Sequence, residues 1–451
     1  MKRILAIMMI ASIALSLLAG CGQSGQSTTA EQTTQAEQTS TTQAASKPDS
    51  ISFMYQGTDR QQAAIKAAAE KFTAQTGIKV ELNYAPHDVY QEQLSGAIAA
   101  KKIPDVVQLD APFLSNLAWS GVITPIEQYL DADLVADMTA SNVEQSSYPI
   151  DNKLYAISHI DSTVLLYANK KYLEKIGARI PKSVDDAWTI DEFETYLEAL
   201  SKLPEVKYPL DIMRAYGVKS EWGTYGFFTA LVSNGGGIID SKTYNATGML
   251  NGPKSAEVAT KFQNWVKNDW VVPASAGANL VFNEKREAAI AWCGNWFWAQ
   301  AYPTLGEDLI ALPLPNFGQG VKSPNGTWLY AISNESGEDK KAAAGQLISF
   351  MLKDPDFLNI AKEDGEYPGL KSWASTDPTY SDPNKMLIAA EQANTAVARP
   401  KHPAYPIITS AFMDAFASIL DGADVQSTLD GAAKTIDEDI LDHDGYPPFG
   451  G

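Results

Sequence analysis

The chain has 451 residues, 45% hydrophobic and 10% aromatic, with a formal charge of −19. A body of this size exceeds one ordinary core and predicts two lobes, and its acidity excludes the basic surfaces that nucleic acid and anionic membranes require. Only Cys21 and Cys293 are present, which leaves no internal disulfide in a mature chain.

Residues 1–20 read as a signal peptide. Lys2 and Arg3 begin it, residues 4–18 are an apolar run of secretory length, and Leu18-Ala19-Gly20-Cys21 ends it. That ending resembles a bacterial lipobox, which implies lipidation of Cys21 and a membrane anchor. Loss of Lys2 and Arg3 takes the formal charge to −21. Residues 21–47 read as a disordered tether, because a Ser/Thr/Gln/Ala tract without aromatic residues buries too little surface to order itself. No later run is long and apolar enough to span a bilayer.

The body opens with a strand at 51–56 and a helix at 58–76. Ile65, Ala68, Ala69 and Phe72 give the helix one apolar face, and Gly77 closes it. A strand at 78–84, a helix at 88–101 and a strand at 106–109 follow. This alternation predicts parallel pairing and places Gln56, Asp59 and Asp110 in loops at strand ends, where α/β sheets form ligand crevices. Residues 114–130 look helical, broken at Gly121. The mostly apolar run 154–166 contains His159, Asp161, Ser162 and Thr163, polar groups that need partners or a cleft. Thr189 and Glu192 form a capping-box signature. Residues 222–231, with Trp222 and Tyr225 near the start, and residues 256–268 read as helices. Pro313 and Pro315 make 309–315 an edge or linking segment. A strand at 327–333 and helices at 340–352, 408–420 and 425–440 complete the order.

Residues 284–300 hold Trp292, Trp296 and Trp298. Ala288 to Ala291 read as a short buried strand, and Gly294-Asn295 as a turn that delivers rings at the strand's end. Large aromatics are mostly buried, so residue type alone favours a core cluster. Cys293 lacks metal-ligand spacing and reads as a small core residue. The chain has no P-loop or GxSxG elbow, and its four histidines form no close pair. Neither a cofactor nor a metal is expected.

An ordered series of segments resembles the maltose-binding-protein group of solute-binding proteins that serve ATP-driven importers (extracellular solute-binding family 1). Residues 72–80 (FTAQTGIKV), 104–107 (PDVV) with Asp110 following, 166–170 (LYANK), 188–194 (WTIDEFE) and 283–298 carry it. The resemblance implies a two-lobe α/β periplasmic-binding-protein fold, type II-like, with the ligand cleft between lobes joined by a multi-strand hinge. It implies an N-terminal lobe of 48–160 and 326–370 and a C-terminal lobe of 161–325 and 371–451, with crossings near 159–163, 315–328 and 370–373.

It further implies a carbohydrate receptor, not an enzyme, that delivers an oligosaccharide to ABC-importer permease subunits as a lipid-anchored, extracytoplasmic monomer. By position, Trp296 falls where the family stacks a ring on sugar. Asp110 and Asp161, or its neighbour Ser162, fall where it binds hydroxyls. Tyr225 and Trp222 match an aromatic wall, with Gln56, Asp59, His159, Trp298 and Trp373 as further candidates. The chemistry agrees, since a sugar offers a C–H face to an aromatic ring and hydroxyls to a carboxylate. The alternatives are a binder of a non-sugar solute, a surface adhesin, or a lipid-anchored glycoside hydrolase, which needs two carboxylates roughly 5–9.5 Å apart.

Overall fold

The computed structural model describes residues 47–276, 282, 284–375 and 396–449. The signal peptide, Cys21, the tether up to residue 46 and Asn283 lie outside the described residues. In chain order the strands described are β1 (Ser50–Tyr55), β2 (Lys79–Tyr84), β3 (Val106–Asp110), β4 (Ala156–Ile157), β5 (Ile160–Asp161), β6 (Val164–Asn169), β7 (Tyr208–Asp211), β8 (Ala288–Gly294), β9 (Leu309–Leu312), β10 (Trp328–Ile332) and β11 (Tyr367–Pro368). Two main sheets result, one per lobe, with a two-stranded β11-β5 ribbon besides. The first has the order β2-β1-β3-β10-β4, and the second β7-β8-β6-β9.

The first lobe forms as the pattern dictates. Thr58 and Gln61 make a capping box on the helix Asp59–Thr76, and Gly77 ends it in the left-handed region at φ 71°. Ala64, Ile65, Ala68, Ala69 and Phe72 are its buried face. The helix crosses over so that β1 pairs in parallel with β2 on one side and β3 on the other. β10 then returns antiparallel to β3, with Trp328 opposite Asp110. Apolar clusters cover both faces of this sheet.

The second lobe is organised around β8, which lies between parallel β7 and antiparallel β6. All seven of its residues are buried, so the strand runs to Gly294 rather than stopping at Ala291. A central strand buried on both faces shows no alternation by which its end can be read. Trp292 lies inside it and donates its ring N–H to the Gly226 carbonyl at 2.8 Å. β9 occupies the edge and ends just before Pro313. Helices Tyr405–Leu420 and Val425–Asp442 close this core through Ile408, Phe412, Phe416 and Ile436.

Two expected helices differ, and one apolar run divides. The helix at 114–130 is only Leu114–Trp119, followed by Gly121 at φ 70° and a 3₁₀ turn Glu127–Tyr129. The run 154–166 divides into β4, β5 and β6, because Ser158, Ser162 and Thr163 use their hydroxyls to join neighbouring backbone and side chains. The helix at 222–231 divides into Glu221–Tyr225 and Phe228–Ser233. Phe227 leaves helical geometry (φ −129°, ψ −19°) and buries its ring against Phe262 and Phe416.

Between the sheets, β5 pairs with β11, and Ser162 bridges Gly326. The chain stays with the first lobe beyond β11. Met138 bridges Leu370, and in the helix Lys371–Ala374 Lys371 Nζ donates to Ala136 O at 2.9 Å. Trp373 therefore lies against the first lobe's core.

Candidate functional site

The C-terminal end of the first sheet brings four polar or aromatic side chains together. Asp110 ends β3 beside Trp328. Gln56, just after β1, donates its backbone N–H to Gln108 Oε1 at 2.9 Å, and its own Oε1 meets His87 Nδ1 at 3.1 Å. The His87 ring lies edge-on to Trp328, with centroids 5.3 Å apart. Asp59 is placed differently, exposed in the first turn of its helix, where a carboxylate complements the helix dipole.

The second wall is aromatic. Trp296 immediately precedes the helix Phe297–Leu305 and is partly exposed. Its ring folds back over Gly294, where a Cβ would lie 2.2 Å from ring atoms, so only glycine fits. The ring stacks on Tyr225 (6.1 Å, 25°) and meets Trp222 edge-on (6.3 Å, 75°). Tyr225 is buried, and its hydroxyl lies 2.8 Å from Ser162 Oγ. Gly326 leaves room for the Tyr225 ring, since a Cβ there would fall 2.4 Å from Cε2. Trp222 belongs to the core, and its ring N–H donates to Ile212 O at 3.1 Å. Trp298 stacks on Tyr302 (5.3 Å, 21°).

A charged bridge that no motif announced joins the two walls. Arg399 donates to both oxygens of Asp110, at 2.6 and 2.8 Å, and from Nη1 to Glu221 Oε1 at 2.7 Å. Its guanidinium carbon lies 4.9 Å from the Tyr225 ring centroid. Burial pushes the Glu221 carboxyl above the ordinary range, against the pull of Arg399. Little space remains beside the bridge, about 10 Å³, with Gln145, Asn325 and Lys401 in its lining. The walls are thus drawn together.

The other sequence-predicted polar residues are held inside. Asp161 is buried, accepts from Gln145 Nε2 and from Ser162 N–H, and is pushed up to about 6 by burial. His159 packs on Phe357 and Tyr330, and burial pulls it down to about 3, so it is a neutral packing group. Glu366 was not foreseen. It is half-buried beside Asn295 Nδ2 (3.4 Å) and pushed up to about 8 by desolvation, with Asp364 adding to the shift. Asn295 also donates to Gly365 O at 2.8 Å and ties the turn before Trp296 to the segment before β11. Arg399, Glu221 and Glu366 carry no sequence signal, because a charge held inside a fold is recognised only by its partners. Among the described residues, no group of three His, Cys, Asp or Glu could hold a metal ion.

Two α/β lobes linked by several strands, with a polar and an aromatic wall meeting between them, define a two-lobe binding protein. The chain belongs to the bacterial extracellular solute-binding proteins, whose family model matches residues 67–387. It is 24% identical over 377 residues to a maltotriose-binding protein of Pyrococcus abyssi, covering 80% of this chain and 75% of that one. Among solved structures, a maltose-bound T. maritima protein superposes with a TM-score of 0.73 at 20% identity, covering 86% of this chain and 99% of the other. An ABC substrate-binding protein from Listeria monocytogenes in complex with cycloalternan gives 0.73 at 18% identity, covering 87% and 99%. These likenesses establish the two-lobe fold.

Proposed function

We propose that the chain is a carbohydrate receptor of an ABC importer, which takes an oligosaccharide between its lobes and closes by hinge bending. One observation carries this reading. A continuous run leads from the Asp110 carboxylate through Arg399 and Tyr225 to the partly exposed Trp296 ring, which pairs a hydroxyl acceptor with a stacking platform. The names of the relatives, which bind maltotriose, maltose and cycloalternan, support the same class of ligand.

In this reading Trp296, Asp110 and Gln56 touch sugar, with His87 and Trp328 beside them. Tyr225, Trp222, Asp161 and Ser162 hold those contacts in place from behind. The lobes comprise 48–160 with 326–370, and 161–325 with 371–451, apart from the short helix that packs back on the first lobe. The role is capture without turnover. The chain works as a monomer, held by a lipid on Cys21 at the outer face of the cell membrane and read by permease subunits in its closed form.

Calorimetric titration with maltotriose, maltotetraose and a cyclic glucan tests the reading. Saturable binding that Trp296→Ala removes supports it, and absence of heat with every glycan contradicts it. Product analysis after prolonged incubation separates a receptor from a hydrolase, because any turnover excludes pure binding.

A further inference from the structure

We propose that Arg399 is a positioning residue for capture. It fastens Asp110 of the first lobe to Glu221 of the second, so that closure requires one guanidinium to neutralise two opposed carboxylates. The inference rests on the two-lobe closing motion proposed above.

The arrangement has a built character. Arg399 is 4% exposed, and both of its terminal nitrogens are engaged. Glu221 opens the helix Glu221–Tyr225 of the second lobe, and its carboxylate also accepts from Tyr405 Oη and, at 2.7 Å, from Thr409 Oγ1. Asp110 ends β3 of the first lobe. The segment carrying Arg399 lies along the first lobe. Lys401 Nζ donates to Glu144 O, and Pro403 O accepts from Asn116 Nδ2 at 2.7 Å. The helix that begins two residues later, Tyr405–Leu420, belongs to the second lobe's core. Arg399 therefore stands where the lobes meet.

The physics assigns it a conditional role. A buried ion bridge gains little over apolar packing, because desolvation offsets the attraction. Removing one partner is costly, because it strands the other charge. Here removal of the buried cation strands two part-buried carboxylates that face the same place. Closure without Arg399 thus demands a proton or an opening of the cleft. The bridge also orients Asp110 for ligand. A carboxylate has about four lone-pair sites, and the bidentate guanidinium occupies two, which leaves acceptor capacity for sugar hydroxyls.

The test uses the full chain without sugar, with spin labels at Ser95→Cys and Ser201→Cys, both exposed and one in each lobe. Electron–electron resonance then gives the interlobe distance distribution. Arg399→Met should lower the closed-to-open ratio at least roughly tenfold, in keeping with a stranded buried charge. Adding Glu221→Gln to Arg399→Met should return most of the closed fraction. Arg399→Lys, which keeps the charge and loses the fork, should fall between. A wild-type distribution in Arg399→Met overturns the proposal, and so does failure of Glu221→Gln to restore closure. If Arg399→Met does not fold, Arg399→Lys decides, since an unchanged distribution there overturns it equally. The distances are measured without ligand. A chain that closes as described yet binds no glycan therefore contradicts the carbohydrate reading alone.

Discussion

Glu366→Gln is the substitution whose effect can be worked furthest from the structure. Burial, with Asp364 and Asp161 nearby, pushes this carboxyl from the ordinary 4.5 to about 8. The folded chain therefore holds a proton that the unfolded chain releases. The stability linked to that proton is fully present below pH 4.5 and is lost as pH rises towards 8. Between pH 5 and 7.5 the linkage amounts to roughly 3 kcal/mol. This is a ceiling, because opening of the cleft would let water reach the charge. A glutamine keeps the shape and cannot ionise. Urea unfolding at both pH values should show wild type losing about 1–3 kcal/mol more than Glu366→Gln as pH rises. Asp161 and Asp211, each pushed up to about 6, have the same sign but titrate in both proteins. Equal pH slopes in the two proteins would refute the reasoning.

The remaining predictions concern binding and packing. Gly294→Ala should imitate Trp296→Ala, because the new Cβ meets the Trp296 ring at 2.2 Å; calorimetry should show glycan binding lost in both with little change in melting temperature. Asp110→Ala should weaken binding by roughly 1.5–3 kcal/mol, the range for a hydrogen bond to a charged group, read as the change in Kd. Asp161→Ala should weaken it by a similar amount, roughly 1.5–3 kcal/mol, here because Gln145 and Ser162 lose their anchor. Phe72→Ala removes a ring 1% exposed from the first lobe's core and should cost roughly 3–5 kcal/mol in urea unfolding, with glycan affinity unchanged at low temperature.

The regular parts of the fold were legible because local pattern and tertiary need agree in them. Ile65, Ala68, Ala69 and Phe72 read as one face and are one face. Thr189 and Glu192 read as a capping box and form one. The legibility ends where tertiary packing overrides local preference. Phe227 breaks a helix to place its ring, and β8 outruns its expected end because a strand buried on both faces shows no period. At the candidate site, Gly294 read as part of a turn but ends β8, and it is the close approach of the Trp296 ring that demands glycine there. His159 and Trp222, further candidates in the sequence, are packing residues. Arg399 and Glu221 were invisible, since their meaning lies in Asp110, 289 and 111 positions away from them respectively.

The most direct test of the account is isothermal titration of the full chain with linear and cyclic glucans, wild type beside Trp296→Ala. The account predicts saturable one-to-one binding of at least one glycan by wild type and none by the variant. Binding of equal affinity in both, or no binding of any glycan by wild type, would contradict it.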